Sequence, residues 1–138
     1  MASYNKFQPF VLALAHKEHD LETDQLVVAL TAAANAPAAA NGVLADLTQI
    51  SYTNCSSRNI ATTSSAQTGG TYKLTLTDLT LTASGGAVAA FRYVVIYNDT
   101  HAADGLIGWY DYGSEITLAS GESLLIDFDG ANGLFTLA

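Results

Sequence analysis

The sequence predicts a mainly β fold: an antiparallel β-sandwich of jelly-roll or Greek-key type with seven or eight short strands and one N-terminal α-helix. Three observations carry that prediction. Residues 72–76 alternate apolar and polar side chains at the two-residue period of a half-buried strand. Apolar or β-branched runs recur through the second half, separated by Gly, Asn, Asp and Ser turn signals. No helical pattern intervenes between those runs to carry parallel crossovers, which argues against an α/β arrangement. A single core fills 138 residues, so one domain spanning 1–138 is expected.

The helix is predicted over about residues 5–17, where Phe7, Phe10, Val11 and Leu14 fall at i, i+3, i+4 and i+7 and would share one stripe. Asn5 and Gln8 have the spacing of a capping arrangement, but Pro9 lacks an N–H, so Pro9 itself is an alternative start. The polar run His16, Lys17, Glu18, His19, Asp20 ends the helix, and the Val- and Leu-rich residues 26–30 then read as a buried strand. TAAANAPAAANG at 31–42 holds Pro37 and no large apolar side chain, and is predicted as an exposed loop or arm. Residues 43–50 suit a short helix or a strand edge, and the hydroxyl-rich stretch 51–70 holds one weak strand around 58–63.

After the strand at 72–76 the phase slips by one at Asp78, so Leu79 and Leu81 take odd positions and a bulge or break is required. Ser84-Gly85-Gly86 supplies a turn. FRYVVIY at 91–97 is nearly all β-branched or aromatic, as a central strand covered on both faces would be, and it stops at Asn98-Asp99. Strands at 106–112, 115–119 and 123–128, with turns at Gly113-Ser114 and Ser120-Gly121-Glu122, are expected to pair as a meander. A last strand at 134–137 follows the turn-forming residues 129–133.

Charged residues make up 13% of the chain, about half the roughly 25% of an average soluble domain. A surface so neutral, built from Ala, Thr, Ser, Asn and Gly, implies that other protein covers much of it, in an oligomer or a larger assembly. The net charge of −8, from 13 acids against 5 bases, makes the long-range field repulsive to nucleic acid and to anionic membranes. No apolar run approaches the ~20 residues a bilayer span needs. The opening MASYNKF lacks the features of a secretory leader, so residence in a cytoplasm is expected. Cys55 has no second cysteine to pair with and reads as an inert thiol.

Asp127 and Asp129 lie two apart and, with Asp111, are the candidate ligands for Ca²⁺ or the candidate acids for glycoside cleavage. The dense acidic loop of a calcium site is missing and Gly130 follows Asp129, so strand-end and turn carboxylates are the better reading. His16 and His19 stand at i, i+3, not at the i, i+4 of helical zinc motifs, and a helix dipole accounts for them. There is no G-x-S-x-G, phosphate-binding glycine loop or Cys and His pair, so no catalytic residue, cofactor or metal is assigned and the chain reads as not an enzyme. Trp109, Tyr110 and Tyr112, with Tyr93 and Tyr97, are either core or interface anchors. In a strand Trp109 shares a face with Asp111, and Tyr110 shares the other with Tyr112. One of these faces is expected in the core and the other against a partner.

The segments FRYVVIYNDT (91–100), LIGWYDYGSEITLASGE (106–122) and LIDFDGANGLFTLA (125–138) resemble small virion structural proteins of tailed bacteriophages and prophages. YNKF at residue 4 and LETDQLVVALT (21–31) are similar to the same family, and residues 32–70 carry the resemblance least. The resemblance implies a protein made in the host bacterial cytoplasm and located in the virion. The expected role is a head decoration or cement protein, bound to the outer surface of the major capsid protein lattice and forming a dimer or trimer with itself. The helix, with Phe7 and Phe10, and the Ala-rich arm would then reach neighbouring subunits. A tail, neck or fibre component is the alternative, with 32–70 as a ring-completing loop. A third reading, from a different class, is a carbohydrate-binding module that stacks glycan on Trp109 and Tyr110.

Overall fold

A computed structural model of the chain describes residues 2–138. In chain order it contains β1 (Ser3–Lys6), α1 (Gln8–Ala15), β2 (Leu26–Thr31), β3 (Asn59–Ile60), β4 (Thr62–Thr68), β5 (Thr71–Leu76), β6 (Leu79–Thr82), β7 (Val88–Asn98), β8 (Leu106–Leu118), β9 (Ser123–Ile126) and β10 (Phe135–Leu137). Strands hold 47% of the residues against 10% in helices, which makes the protein mainly β. All the strand pairs among the described residues are antiparallel.

Three sheets close on one core. The largest has the order β1-β8-β7-β2-β3, the second β10-β5-β4, and β6 pairs with β9 as a separate ladder. Leu30, Phe91 and Ile96 from the first, Leu74 and Leu76 from the second, and Leu81 and Ile126 from the third meet in a single buried cluster. The result is a β-sandwich-like fold with an N-terminal helix. In its middle, β2 is buried at all six positions, which is why its sequence LVVALT does not alternate. The chain after it guards its outer edge: Ile50 N donates to Leu30 O (3.0 Å), Leu30 N donates to the Tyr52 hydroxyl (3.0 Å), and Arg58 donates to Val28 O.

Several elements differ from the sequence reading. Residues 3–6 are not the first turn of a helix but the strand β1, which pairs Tyr4 with Tyr110 and caps the outer edge of β8. The helix begins after them, with Phe7 as an extended N-cap and Pro9 in the first turn, where no N–H is needed. It ends at Ala15, two residues short of the predicted 17, and Lys17 turns the chain at φ +65°.

Gly113-Ser114 is not a hairpin turn, because β8 runs unbroken through it. Between the pairs Tyr93↔Asp111 and Phe91↔Ile116, Arg92 alone faces residues 112–115. The surplus is taken up in a bulge where Gly113 adopts φ +82°. β9 then joins β6 rather than β8, so the predicted meander stops at β8. The phase slip at Asp78 is a change of sheet: β5 lies in the second sheet, β6 in the ladder, and Asp78 Oδ1 accepts the N–H of Phe128 (3.0 Å).

Residues 31–42 do not project as an arm. Gln8 N donates to Ala39 O (2.8 Å), Leu106 N to Gly42 O (3.0 Å) and Ala33 N to the Glu115 carboxylate (3.2 Å), and Pro37 is buried. The small alanines let this backbone lie close to the body. No helix among the described residues is long and apolar enough to cross a membrane.

Candidate functional site

The five residues expected at an interface, Phe7, Phe10, Trp109, Tyr110 and Tyr112, divide sharply by burial, and Tyr93 and Tyr97 are core. Phe7 and Phe10 are core residues: Phe7 packs on Trp109 with ring centroids 4.5 Å apart, and Phe10 on Phe135 at 5.4 Å. Tyr110 is buried as well, between Tyr4 (5.4 Å) and Phe128 (6.2 Å). Trp109 and Tyr112 are half-buried. Of the five, only Trp109 and Tyr112 keep accessible surface beyond a few per cent. The period of a strand or helix tells which side chains share a face, and burial depends on what the rest of the chain lays over that face. Trp109 and Tyr110 also point to opposite faces of β8, so they form no common stacking platform.

Apart from Leu125, which is exposed in the groove that Tyr110 and Tyr112 line, the open large apolar side chains lie elsewhere. Val11 is 54% exposed, Leu12 59% and Leu137 54%. Val11 and Leu137, with Lys6, Leu14 and Phe135, line a groove of about 490 Å³ between α1 and β10, and Leu12 stands open on α1 outside that groove. Of the predicted stripe Phe7, Phe10, Val11 and Leu14, only Phe7 and Phe10 are buried, and Val11 and its neighbour Leu12 are open. The signal was present: QPFVLALA carries no charge at any position, and a helix apolar all round belongs in an interior. Here the interior covers Phe10 and leaves the next turn of the surface bare.

A second groove, of about 610 Å³, runs beside β8 and is lined by Tyr4, Tyr110, Tyr112, Asp127, Asp129 and Asn132. Asp127 and Asp129 do come together there, but Asp111 does not join them. Asp111 instead accepts two hydrogen bonds from Arg92, Nε to Oδ1 at 2.9 Å and Nη2 to Oδ2 at 3.1 Å, which hold its carboxyl below the usual range. Asp129 sits at φ +56°, accepting Asn132 N (3.1 Å) and Asn132 Nδ2 (2.9 Å), and these bonds likewise lower its pKa. Asp127 accepts the N–H of Asp129 (2.8 Å). Both carboxylates therefore shape a turn, and burial raises the Tyr110 hydroxyl far above its ordinary range, with Tyr112 and the nearby acids adding to the effect. The phenol stays neutral at any ordinary pH.

His16 and His19 are separated by burial. His16 is the exposed C-cap of α1, its N–H donating to Leu12 O (2.9 Å), while His19 lies beyond the helix in the interior. Among the described residues no three His, Cys, Asp or Glu side chains are grouped to hold a metal ion. Burial raises the Cys55 thiol, which keeps it protonated. Comparison of the chain with protein-family models, curated proteins and solved structures finds no match.

Proposed function

We propose that this chain is a structural subunit of a tailed-phage particle, a head decoration or cement protein whose α1 and β10 face docks on the major capsid protein. One observation carries the reading: an uncharged helix whose Val11 and Leu12 stand open to water, Val11 sharing a groove with Leu137, on a domain that is 13% charged. Such a patch lowers its free energy when protein covers it. The likeness of residues 91–100, 106–122 and 125–138 to small virion proteins supplies the kind of assembly. Each contact is small, and many copies on one lattice, with self-association about local symmetry axes, reinforce one another through multivalency.

Particles of the phage or prophage that encodes the chain provide the test. Leu12→Asp is expected to leave the fold intact and to strip the protein from capsids in a sedimentation assay. Retention of Leu12→Asp on capsids at the wild-type level would refute the docking face. Cryo-electron microscopy of the same particles locates the copies. Hundreds on the icosahedral lattice agree with cement, and a single ring at the neck or tail transfers the protein to that structure.

A further inference from the structure

Behind the C-terminal end of α1 lies a buried polar cluster. His19 is 7% exposed, and Asn98, the last residue of β7, is wholly buried beside it. Asn98 is the hub. Its Oδ1 accepts the backbone N–H groups of Thr100 (3.0 Å) and His101 (3.2 Å), which fixes the orientation of the amide. Both hydrogens on Nδ2 are then committed, one to Asp24 Oδ2 at 2.6 Å and one to His19 Nδ1 at 2.9 Å. His19 Nδ1 is therefore an acceptor, and the neutral ring carries its proton on Nε2.

That Nε2 is buried and meets no protein partner, and the same holds for His101 Nδ1. His101 Nε2 lies 3.5 Å from Glu18 Oε1, so a neutral His101 keeps its proton on that side and leaves Nδ1 as an acceptor. Donor and acceptor converge. Each lies within 3.3 Å of the point where a Cβ on Gly105 would stand, a close approach that glycine permits.

We propose that this cluster is an acid-released latch, which holds the 16–25 connection against the 98–105 connection while the His19 imidazole is neutral and opens when His19 takes a proton. The added proton must sit on Nδ1, facing the Nδ2 hydrogen of an amide that cannot turn round without abandoning Thr100 and His101. Burial, and after it His101, hold the proton affinity of His19 below its ordinary range, against the opposing pull of Asp24 and Glu18. Lys17, Asp20, Glu22 and Tyr72 line the outer side of His19, and Asp104 N donates to the His101 carbonyl (2.9 Å).

With the folded pKa below the unfolded one, the stabilisation is complete above about pH 6.5 and is lost as pH falls from there toward the folded value. Opening also frees the end of α1, because Phe10 packs on the His19 ring at 5.3 Å. The latch is independent of the partner that covers α1.

Imidazole ¹⁵N spectra of the intact chain read the tautomer and titration of His19, and amide exchange, corrected for its intrinsic pH dependence, maps the opening. The expected His19 carries its neutral proton on Nε2 and titrates below the ordinary histidine range. Exchange over 16–25 and 98–105 should accelerate by up to about tenfold per pH unit below about pH 6.5, while 62–76 stays protected. His19→Gln keeps an acceptor and a donor without titrating, and should abolish the acceleration. The latch is overturned by a neutral proton on Nδ1, by titration in the ordinary range, or by acceleration that persists in His19→Gln or spreads evenly over the chain. Should His19→Gln fail to fold, the wild-type spectra and exchange map decide alone.

Discussion

Two uncharged apolar segments, LVVALT in β2 and QPFVLALA in α1, meet opposite fates in this molecule. β2 is buried at all six positions, paired with β7 on one edge and guarded by residues 50–60 on the other. In α1 Phe10 is buried, and Val11 and Leu12 are more than half exposed. The same chemistry is satisfied within the chain in one place and left unsatisfied in the other. Hydrophobic burial stabilises the fold in β2, whereas in α1 it remains available for association.

The sharpest break of that comparison is a pair of truncations. Leu30→Ala is expected to cost about 2–5 kcal/mol in chemical denaturation, since Leu30 is wholly buried and the cavity cannot collapse between paired strands. Leu12→Ala should cost within about 0.5 kcal/mol, because the side chain is exposed and alanine is an equally good helix former. Equal losses at the two sites would show that α1 is as closed as β2.

Gly108→Ala tests how β1 and α1 are seated on the sheet. A Cβ there would press on the Tyr4 ring, with Cε2 and Cζ at 2.6 Å, so overpacking is expected to cost about 1–3 kcal/mol and to loosen β1 from β8. A loss smaller than that at Gly108 is expected for Asp111→Asn beside the bulge, where the Arg92 and Asp111 side chains keep 31% and 30% exposure and water screens the pair. Its pH dependence has a definite sign. Arg92 lowers the Asp111 pKa in the folded state, so the pair stabilises above the unfolded value of about 3.9 and is lost as pH falls below it. A wild-type melting temperature that dropped no faster than that of Asp111→Asn on acidification below pH 4 would remove the pair from the account.

Much of the strand set was legible in local pattern. Residues 71–76, 79–82 and 88–98 form strands where alternation and β-branched content place them, and the phase slip at Asp78 marks a real change of sheet. The bulge at Gly113 was misread as a turn because glycine at positive φ serves both, and the partner strand distinguishes them. β1 was hidden beside an apparent helical stripe, since Phe7, which follows it, falls at helical spacing with Phe10, Val11 and Leu14. The open face of α1 was half legible, in the absence of any charge, but which of its apolar residues stay open depends on what the rest of the chain lays over the helix. The histidine cluster was illegible, because its members come from positions 18–24 and 98–105 and no spacing rule links them.

Sequence alone determined the β class, several strands such as those at 26–31 and 71–76, an N-terminal helix and a surface poor in charge, because these follow from the chemistry of neighbouring residues. The tertiary structure decided which strands pair, which aromatic faces are covered and which protonation state the buried histidine must hold. Those outcomes depend on burial and hydrogen bonds between residues far apart in the chain, where local periodicity carries no information.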